Sequence, residues 1–339
     1  QFNISEYIQQ EPGAIYQVSF RFGKADVLCE CADNDENKDG NLLKQGLSWF
    51  ADVDDKDYDN VENYYYEKAT TFLKEDGFLK KYFVFSRHNA EPFWPSGPRF
   101  ISNLLSKYVC KRATQGIAIS NAVKSYLIKR GEITTGYTID VVYYGFQKNI
   151  STNSVGMNLI TNLMNGRNSN YKIGTIGRLV PQKDYPTLLS AFSNVLKSVP
   201  NIELYVVGEG YLQKDLIELS KSPGVNDKVH WLGKTEYIKE FLSKIDLFIL
   251  PSKYEGFGLV LLEAMVAKKP IIAANNSAIP EVLGKTYEGL FATGDANTLA
   301  QQIKTAISDD NFSKRLVNSY SSQLNFFDPS EMNRNVKNV

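Results

Sequence analysis

Short apolar runs alternate with longer amphipathic stretches through the second half of the chain. The runs at 172–176, 202–207, 229–232, 247–250 and 271–273 predict buried strands. The stretches at 185–199, 212–221, 236–244, 258–268 and 297–308 carry helical spacing. Such alternation predicts a parallel sheet covered by helices on both faces. The first half is less regular. Runs at 15–20, 26–29, 81–85, 116–119 and 140–145 read as strands. Residues 99–113 place Leu104, Leu105, Tyr108 and Val109 on one helical face, and 120–128 reads as a helix capped by Ser120. Residues 33–39 (DNDENKD) read as a solvated loop, and 51–66 as an acidic, Tyr-rich loop entering a helix. Residues 148–170 are rich in Asn, Ser, Thr and Gly and read as a linker with room for a short helical turn. The expected layout is therefore α/β, with two Rossmann-like domains at 1–150 and 171–324 joined by a linker at 151–170.

Composition narrows the class. A chain of 339 residues suits two domains of about 150 residues each. Hydrophobic residues make up 43%, and 38 cations balance 38 acids, so no global bias toward nucleic acid is present. No apolar run approaches the ~20 residues of a membrane span. The start, QFNISEYIQQ, lacks the basic beginning of a signal peptide, and it begins with Gln rather than Met. Cys29, Cys31 and Cys110 cannot all pair with one another, and Cys29 and Cys31, with no second pair at zinc-ligand spacing, read as two free thiols, which fits a reducing compartment. A cytoplasmic location is the expectation. The Asp-x-Asp pattern within 52–57 lies away from any strand end, so no metal site and no cofactor is expected.

The chemistry concentrates in residues 251–270, PSKYEGFGLVLLEAMVAKKP. This stretch reads as the end of a strand, a glycine turn at Gly256 and Gly258, and a helix from Leu259. Free amides at Gly256, Phe257, Gly258, Leu259 and Val260, with the positive end of the helix dipole, suit a phosphate. Glu255 and Glu263 flank the turn. Carboxylates repel phosphate, so they suit hydroxyls, and phosphate between hydroxyls describes a sugar nucleotide. Gly177 and Arg178 end an earlier strand, with Lys183 five residues on; two fixed cations there can neutralise a diphosphate. Gly208, Glu209 and Gly210 end the next strand, where a base or ribose could lie against the backbone. His88 lies in a strand-end loop of the first half, SRHNAEP.

The Glu-x7-Glu pattern from Glu255 to Glu263, preceded in order by GR…K and VGEG, resembles the signature of retaining glycosyltransferases with the GT-B fold (glycosyl transferases group 1, family 4-like). The matching motifs run from about 171 to 295. The resemblance implies two domains facing across a cleft, with a C-terminal segment from about 325 to 339 crossing back onto the first. It implies transfer of a sugar from a nucleoside diphosphate sugar to a glycan, lipid-linked or small-molecule acceptor, without a metal. His88, Arg178, Lys183 and Glu255 would be catalytic. Gly177, Gly208, Glu209, Gly210, Gly256, Phe257, Gly258, Leu259, Val260 and Glu263 would bind the donor, Glu263 at the ribose. Peripheral contact with the inner face of a membrane is a further expectation, and 51–66 could stack on an acceptor sugar. Two departures stand out. Lys268 and Lys269 stand where a Gly commonly precedes the Pro-Ile-Ile strand, and Ser277-Ala278-Ile279 where two glycines commonly approach the donor. These should narrow the donor pocket or shift its specificity.

The first half lacks a convincing Gly-Gly acceptor loop. That keeps open a non-catalytic relative that binds a sugar nucleotide or glycan. A nicotinamide-dependent oxidoreductase is disfavoured, because no Gly-x-Gly-x-x-Gly follows a strand with an acid about 20 residues on.

Overall fold

The computed structural model describes residues 15–22, 25–32, 84–90, 99–113, 115–133, 136–147, 153–164, 171–221 and 225–337. The regions read above as 33–39 and 51–66 lie outside the described residues. Contacts divide the chain into two units. Unit 1 runs to Ile119 and includes Val123–Val141; unit 2 takes Ser120–Ala122 and Val142–Asn338.

Unit 1 holds a five-stranded sheet in the order β1 (Ile15–Phe22), β2 (Ala25–Ala32), β3 (Val84–Arg87), β4 (Gln115–Ala118), β5 (Ile139–Val141). The pairs β3–β4 and β4–β5 are parallel, as the alternating pattern predicts. The pairs β1–β2 and β2–β3 are antiparallel, so the sheet is mixed. Only two residues, 23 and 24, separate β1 from β2, and a connection that short can return a strand only as a hairpin. Helices α1 (Arg99–Arg112) and α2 (Asn121–Arg130) connect the parallel strands. Inside unit 1, Arg87 and Arg130 both bond the fully buried Glu132, at 2.9 Å each. Burial there pushes the Cys110 thiol up to about 12, so it is an inert core thiol.

Unit 2 holds an all-parallel six-stranded sheet: β6 (Tyr171–Ile176), β7 (Ile202–Val207), β8 (Val229–Gly233), β9 (Leu247–Leu250), β10 (Ile271–Ala274) and β11 (Leu290–Phe291). Its order is β11-β10-β9-β6-β7-β8, the doubly wound arrangement. All six residues of β7 and all four of β9 and β10 are buried, as strands covered on both faces must be. The helices are α4 (Tyr185–Leu196), α5 (Gln213–Leu219), α6 (Ile238–Lys244), α7 (Leu259–Val266), α8 (Ile279–Leu283), α9 (Ala296–Ser308), α10 (Asp310–Ser321) and α11 (Pro329–Lys337), all following α3 (Ser154–Leu163).

Helix α3 falls inside the stretch read as linker. It is a regular ten-residue helix, capped by the Asn153 side chain on the Val155 amide. Its Gly156 sits under the Tyr237 ring, where a Cβ would lie 2.2 Å from Cδ1. Ile160 and Met164 supply its buried face, while Val155, Leu159 and Leu163 stay exposed.

Candidate functional site

The sheet of unit 2 reverses its winding between β6 and β9. Crevices outside strand C-termini at such a switch point are where doubly wound sheets bind ligands. Gly177 and Arg178 follow β6, and residues 251–258 follow β9, so the two candidate motifs flank that point.

The loops after β6 and β9 are tied together. The Lys253 amide donates to the Gln182 carbonyl at 2.7 Å, and Gln182 Nε2 donates to the Tyr254 carbonyl at 2.9 Å. Lys253 Nζ lies 3.6 Å from Asp184 Oδ1. Between these ties, Lys183 Nζ donates to Glu255 Oε1 at 2.5 Å. Both side chains are largely buried, 14% and 7% exposed. Lys183 is set by a 3-10 turn at Pro181–Lys183, which Asp184 ends in a left-handed conformation (φ 48). Arg178 is exposed, and its guanidinium reaches Gln182 Oε1 at 3.5 Å, the outer limit of a hydrogen bond. One cation is therefore committed to a carboxylate and the other projects from the loop.

The loop after β7 packs on the loop after β6. The Gly177 amide donates to the Val207 carbonyl and the Leu179 amide to the Glu209 carbonyl, at 3.0 and 2.9 Å. At Gly208 (φ 141) a Cβ would stand 2.0 Å from the Gly177 carbonyl oxygen, and at Gly210 2.4 Å from that of Leu179. Loop-to-loop contact thus demands both glycines before any ligand is considered. Glu209 is exposed, its Oε1 3.4 Å from the Lys234 amide.

Gly258 (φ 86) is the N-cap of α7, and no side chain caps that end. The first amides of α7 are thus left for solvent or an anion. The turn before them is held from behind. Phe257 is buried and its ring meets Tyr143, Tyr144 and Phe327 at centroid distances of 5.9, 5.4 and 5.4 Å. Ser120 Oγ donates to the Gly256 carbonyl at 2.7 Å. Leu259 is exposed and Val260 half-buried. Glu263 lies on the second turn of α7, half-buried. Desolvation raises its carboxyl above the usual range, and Lys239 on α6 opposes that shift. Ser252 Oγ and Asn276 Oδ1, beyond the ends of β9 and β10, are buried without a hydrogen-bond partner among the described residues.

His88 belongs to unit 1, just past β3, with Ser86 Oγ 3.0 Å from its Nε2. All other candidates lie in unit 2. Sequence reading missed Gln182, Lys253, Ser120 and the rings around Phe257. Their role arises from contacts spanning up to 136 residues, for which no local spacing signal exists. The two departures from glycine acquire a backbone meaning. Lys268 (φ 53) and Ser277 (φ 48) both adopt the left-handed conformation that glycine would take without strain. Lys268 is the left-handed residue closing α7, with Lys269 N bonded to Ala264 O and Lys268 N to Met265 O. Lys269 points elsewhere: its Nζ donates to the Ser243 and Ile245 carbonyls, capping α6.

Residues 165–321 match the family model Glycosyl transferases group 1, so this segment is a domain of that group. Among curated relatives, the capsular polysaccharide biosynthesis glycosyltransferase CapM of Staphylococcus aureus is 27% identical over 66% of this chain and 62% of its own length. The N-acetylgalactosamine-N,N'-diacetylbacillosaminyl-diphospho-undecaprenol 4-alpha-N-acetylgalactosaminyltransferase of Campylobacter jejuni is 28% identical over 48% and 44%. The chain thus spans roughly half the length of these relatives. Among solved structures, Anabaena HepE in complex with UDP and glucose superposes with a TM-score of 0.66 at 24% identity, covering 75% of this chain and 70% of that one. Sucrose-phosphate synthase from Thermosynechococcus elongatus does so with 0.66 at 18%, covering 80% and 69%. The fold is the GT-B fold of glycosyltransferases.

Proposed function

We propose that this protein is a retaining glycosyltransferase that moves a sugar from a nucleoside diphosphate sugar to an acceptor hydroxyl of a glycan, a lipid-linked saccharide or a small molecule. The carrying observation is the convergence at the β6/β9 switch point of Arg178, the Lys183–Glu255 pair and the uncapped start of α7. Arg178, Lys183 and the α7 amides hold the diphosphate and stabilise the charge it gains on leaving. Glu255 receives hydroxyls of the transferred sugar and Glu263 those of the ribose. His88 is the catalytic candidate contributed by unit 1. Cations and helix dipole together take the place of a divalent metal, so activity persists in chelator. Attack from the face the diphosphate leaves preserves the anomeric configuration, with the leaving phosphate taking the acceptor proton.

Supporting this reading are the group 1 family match and relatives named as a capsular polysaccharide biosynthesis glycosyltransferase and as an N-acetylgalactosaminyltransferase acting on a diphospho-undecaprenol-linked saccharide. The test is incubation with a panel of nucleotide sugars, following diphosphate release and the anomer formed by NMR. Release with retention and without added metal is expected; an inverted product or strict metal dependence overturns those parts. Binding of a nucleotide sugar with no turnover on any acceptor would favour the second reading, a non-catalytic relative, which the missing Gly-Gly acceptor loop motivates. Work at the inner face of a membrane completes the proposal, and helices α1 and α2 supply its physical basis: exposed apolar residues and cations without an acid.

A further inference from the structure

The proposed catalytic roles give Lys183 to phosphate and Glu255 to sugar, yet these two groups also bond each other. We infer that the Lys183–Glu255 ion pair is a latch that an intact nucleotide sugar opens from both sides and that a bare diphosphate opens from one side only. This inference rests on the proposed donor site.

The geometry carries it. The pair is 2.5 Å long and nearly buried at both ends. Its two loops are pinned by Lys253 N to Gln182 O and Gln182 Nε2 to Tyr254 O, so the partners cannot separate by loop drift without breaking those bonds. An arriving diphosphate must therefore draw Lys183 toward itself by side-chain rotation. That leaves a nearly buried carboxylate without its cation, an unfavourable state in a low-dielectric setting. A complete donor repairs the loss, because sugar hydroxyls can donate to Glu255 as the ammonium did. A free diphosphate brings no such donors. Once the sugar has been transferred, Glu255 reclaims Lys183 and weakens the hold on the departing diphosphate. Glu255 thereby contributes selectivity for the intact donor and helps expel product, in addition to any contact with the transferred sugar.

A plain field effect makes a similar first prediction, since removing any carboxylate near an anion site favours the anion. A double-mutant cycle separates the two. Inorganic pyrophosphate is titrated into wild type, Glu255→Gln, Lys183→Met and the double variant, with 31P NMR following weak binding and thermal melts verifying the fold. The latch predicts that Glu255→Gln raises pyrophosphate affinity about tenfold when Lys183 is present, the scale of one charge-assisted hydrogen bond. In the Lys183→Met background the gain should fall below about twofold, because no pair remains to break. An equal gain in both backgrounds, or none in the first, overturns the latch while leaving the phosphate site intact. Folded proteins of which none binds pyrophosphate would remove the phosphate site itself, and the proposed function with it.

Discussion

Glu263 sits half-buried on α7 with its carboxyl raised by desolvation, and Lys239 offsets that only in part. Such a group costs stability when ionised. At pH below the ordinary carboxylate range it is protonated in both folded and unfolded chains and contributes nothing. As pH rises through that range toward its raised folded value, the unfolded chain releases its proton first and stability falls. Glu263→Gln should therefore melt higher than wild type near neutral pH, with the difference vanishing in acid. The same variant should lose nucleoside diphosphate affinity by about 1.5–3 kcal/mol, the worth of a charged acceptor for a ribose hydroxyl. Melting curves across pH and calorimetric titration check both halves. A variant that neither gains stability nor loses affinity would make Glu263 an ordinary surface acid. Arg178 differs because it is exposed and reaches Gln182 weakly. Arg178→Ala should leave the melting temperature near wild type while removing about 2–4 kcal/mol of transition-state stabilisation. Lys183→Ala should lose both activity and stability, since it strands a nearly buried Glu255. Wild-type turnover in both variants would remove the phosphate assignment.

At the level of elements, the turns that end α7 and precede α8 each hold a non-glycine residue at positive φ. A left-handed conformation costs an L-residue about 1 kcal/mol or more. Lys268→Gly and Ser277→Gly should each stabilise by up to about 1 kcal/mol, part of it offset by the greater freedom of glycine in the unfolded chain. For a domain of this size that is a rise of about 2–4 °C in a thermal melt. Gly208→Ala should do the reverse, because its Cβ would meet the Gly177 carbonyl at 2.0 Å. A melt in which either glycine substitution destabilises would mean that the side chains lost there mattered more than the strain. The elements of unit 2 were legible because buried parallel strands write themselves as apolar runs, as β7 and β9 do. The glycine turn and uncapped start of α7 were legible for the same local reason. The antiparallel pairing of β1 with β2 was not read, because its signal lies in the short connection between the two runs and not in the runs themselves. Helix α3 was expected only as a short turn, because Asn, Ser and Thr dominate the stretch around it. The clamp of Gln182 on Tyr254 crosses 72 residues and leaves no trace in local spacing.

For the whole molecule, charge is balanced in total and uneven in place. Helix α1 carries Arg99, Lys107, Lys111 and Arg112, and α2 carries Lys124, Lys129 and Arg130; neither has an acid. Arg130 is spent on the buried Glu132 and Lys124 on the Ile139 carbonyl, but Lys111 and Lys129 are exposed. On the same helices Phe100, Leu104 and Ile128 are 73%, 66% and 55% exposed. Asn103 Nδ2 donates to the Arg130 carbonyl at 2.7 Å, which sets the second turn of α1 beside the end of α2. No described helix is long and apolar enough to cross a membrane. Cations beside protruding apolar side chains instead suit the surface of an anionic bilayer, where each cation contributes about 1 kcal/mol and each inserted apolar side chain about 1.5–3 kcal/mol. The protein should sediment with vesicles containing phosphatidylglycerol and not with pure phosphatidylcholine vesicles, and added salt should release it. Phe100→Ser with Leu104→Ser should weaken sedimentation at every salt concentration and leave what remains more salt-sensitive, since most of the apolar hold is gone and the cations stay. Lys111→Glu with Lys129→Glu should weaken it and flatten its salt dependence. Equal binding to neutral vesicles would exclude the electrostatic half of the argument. If no vesicle binds and the protein instead self-associates through Phe100 and Leu104, seen as a dimer that the serine variants dissolve, the apolar patch is a protein interface and the membrane reading is wrong.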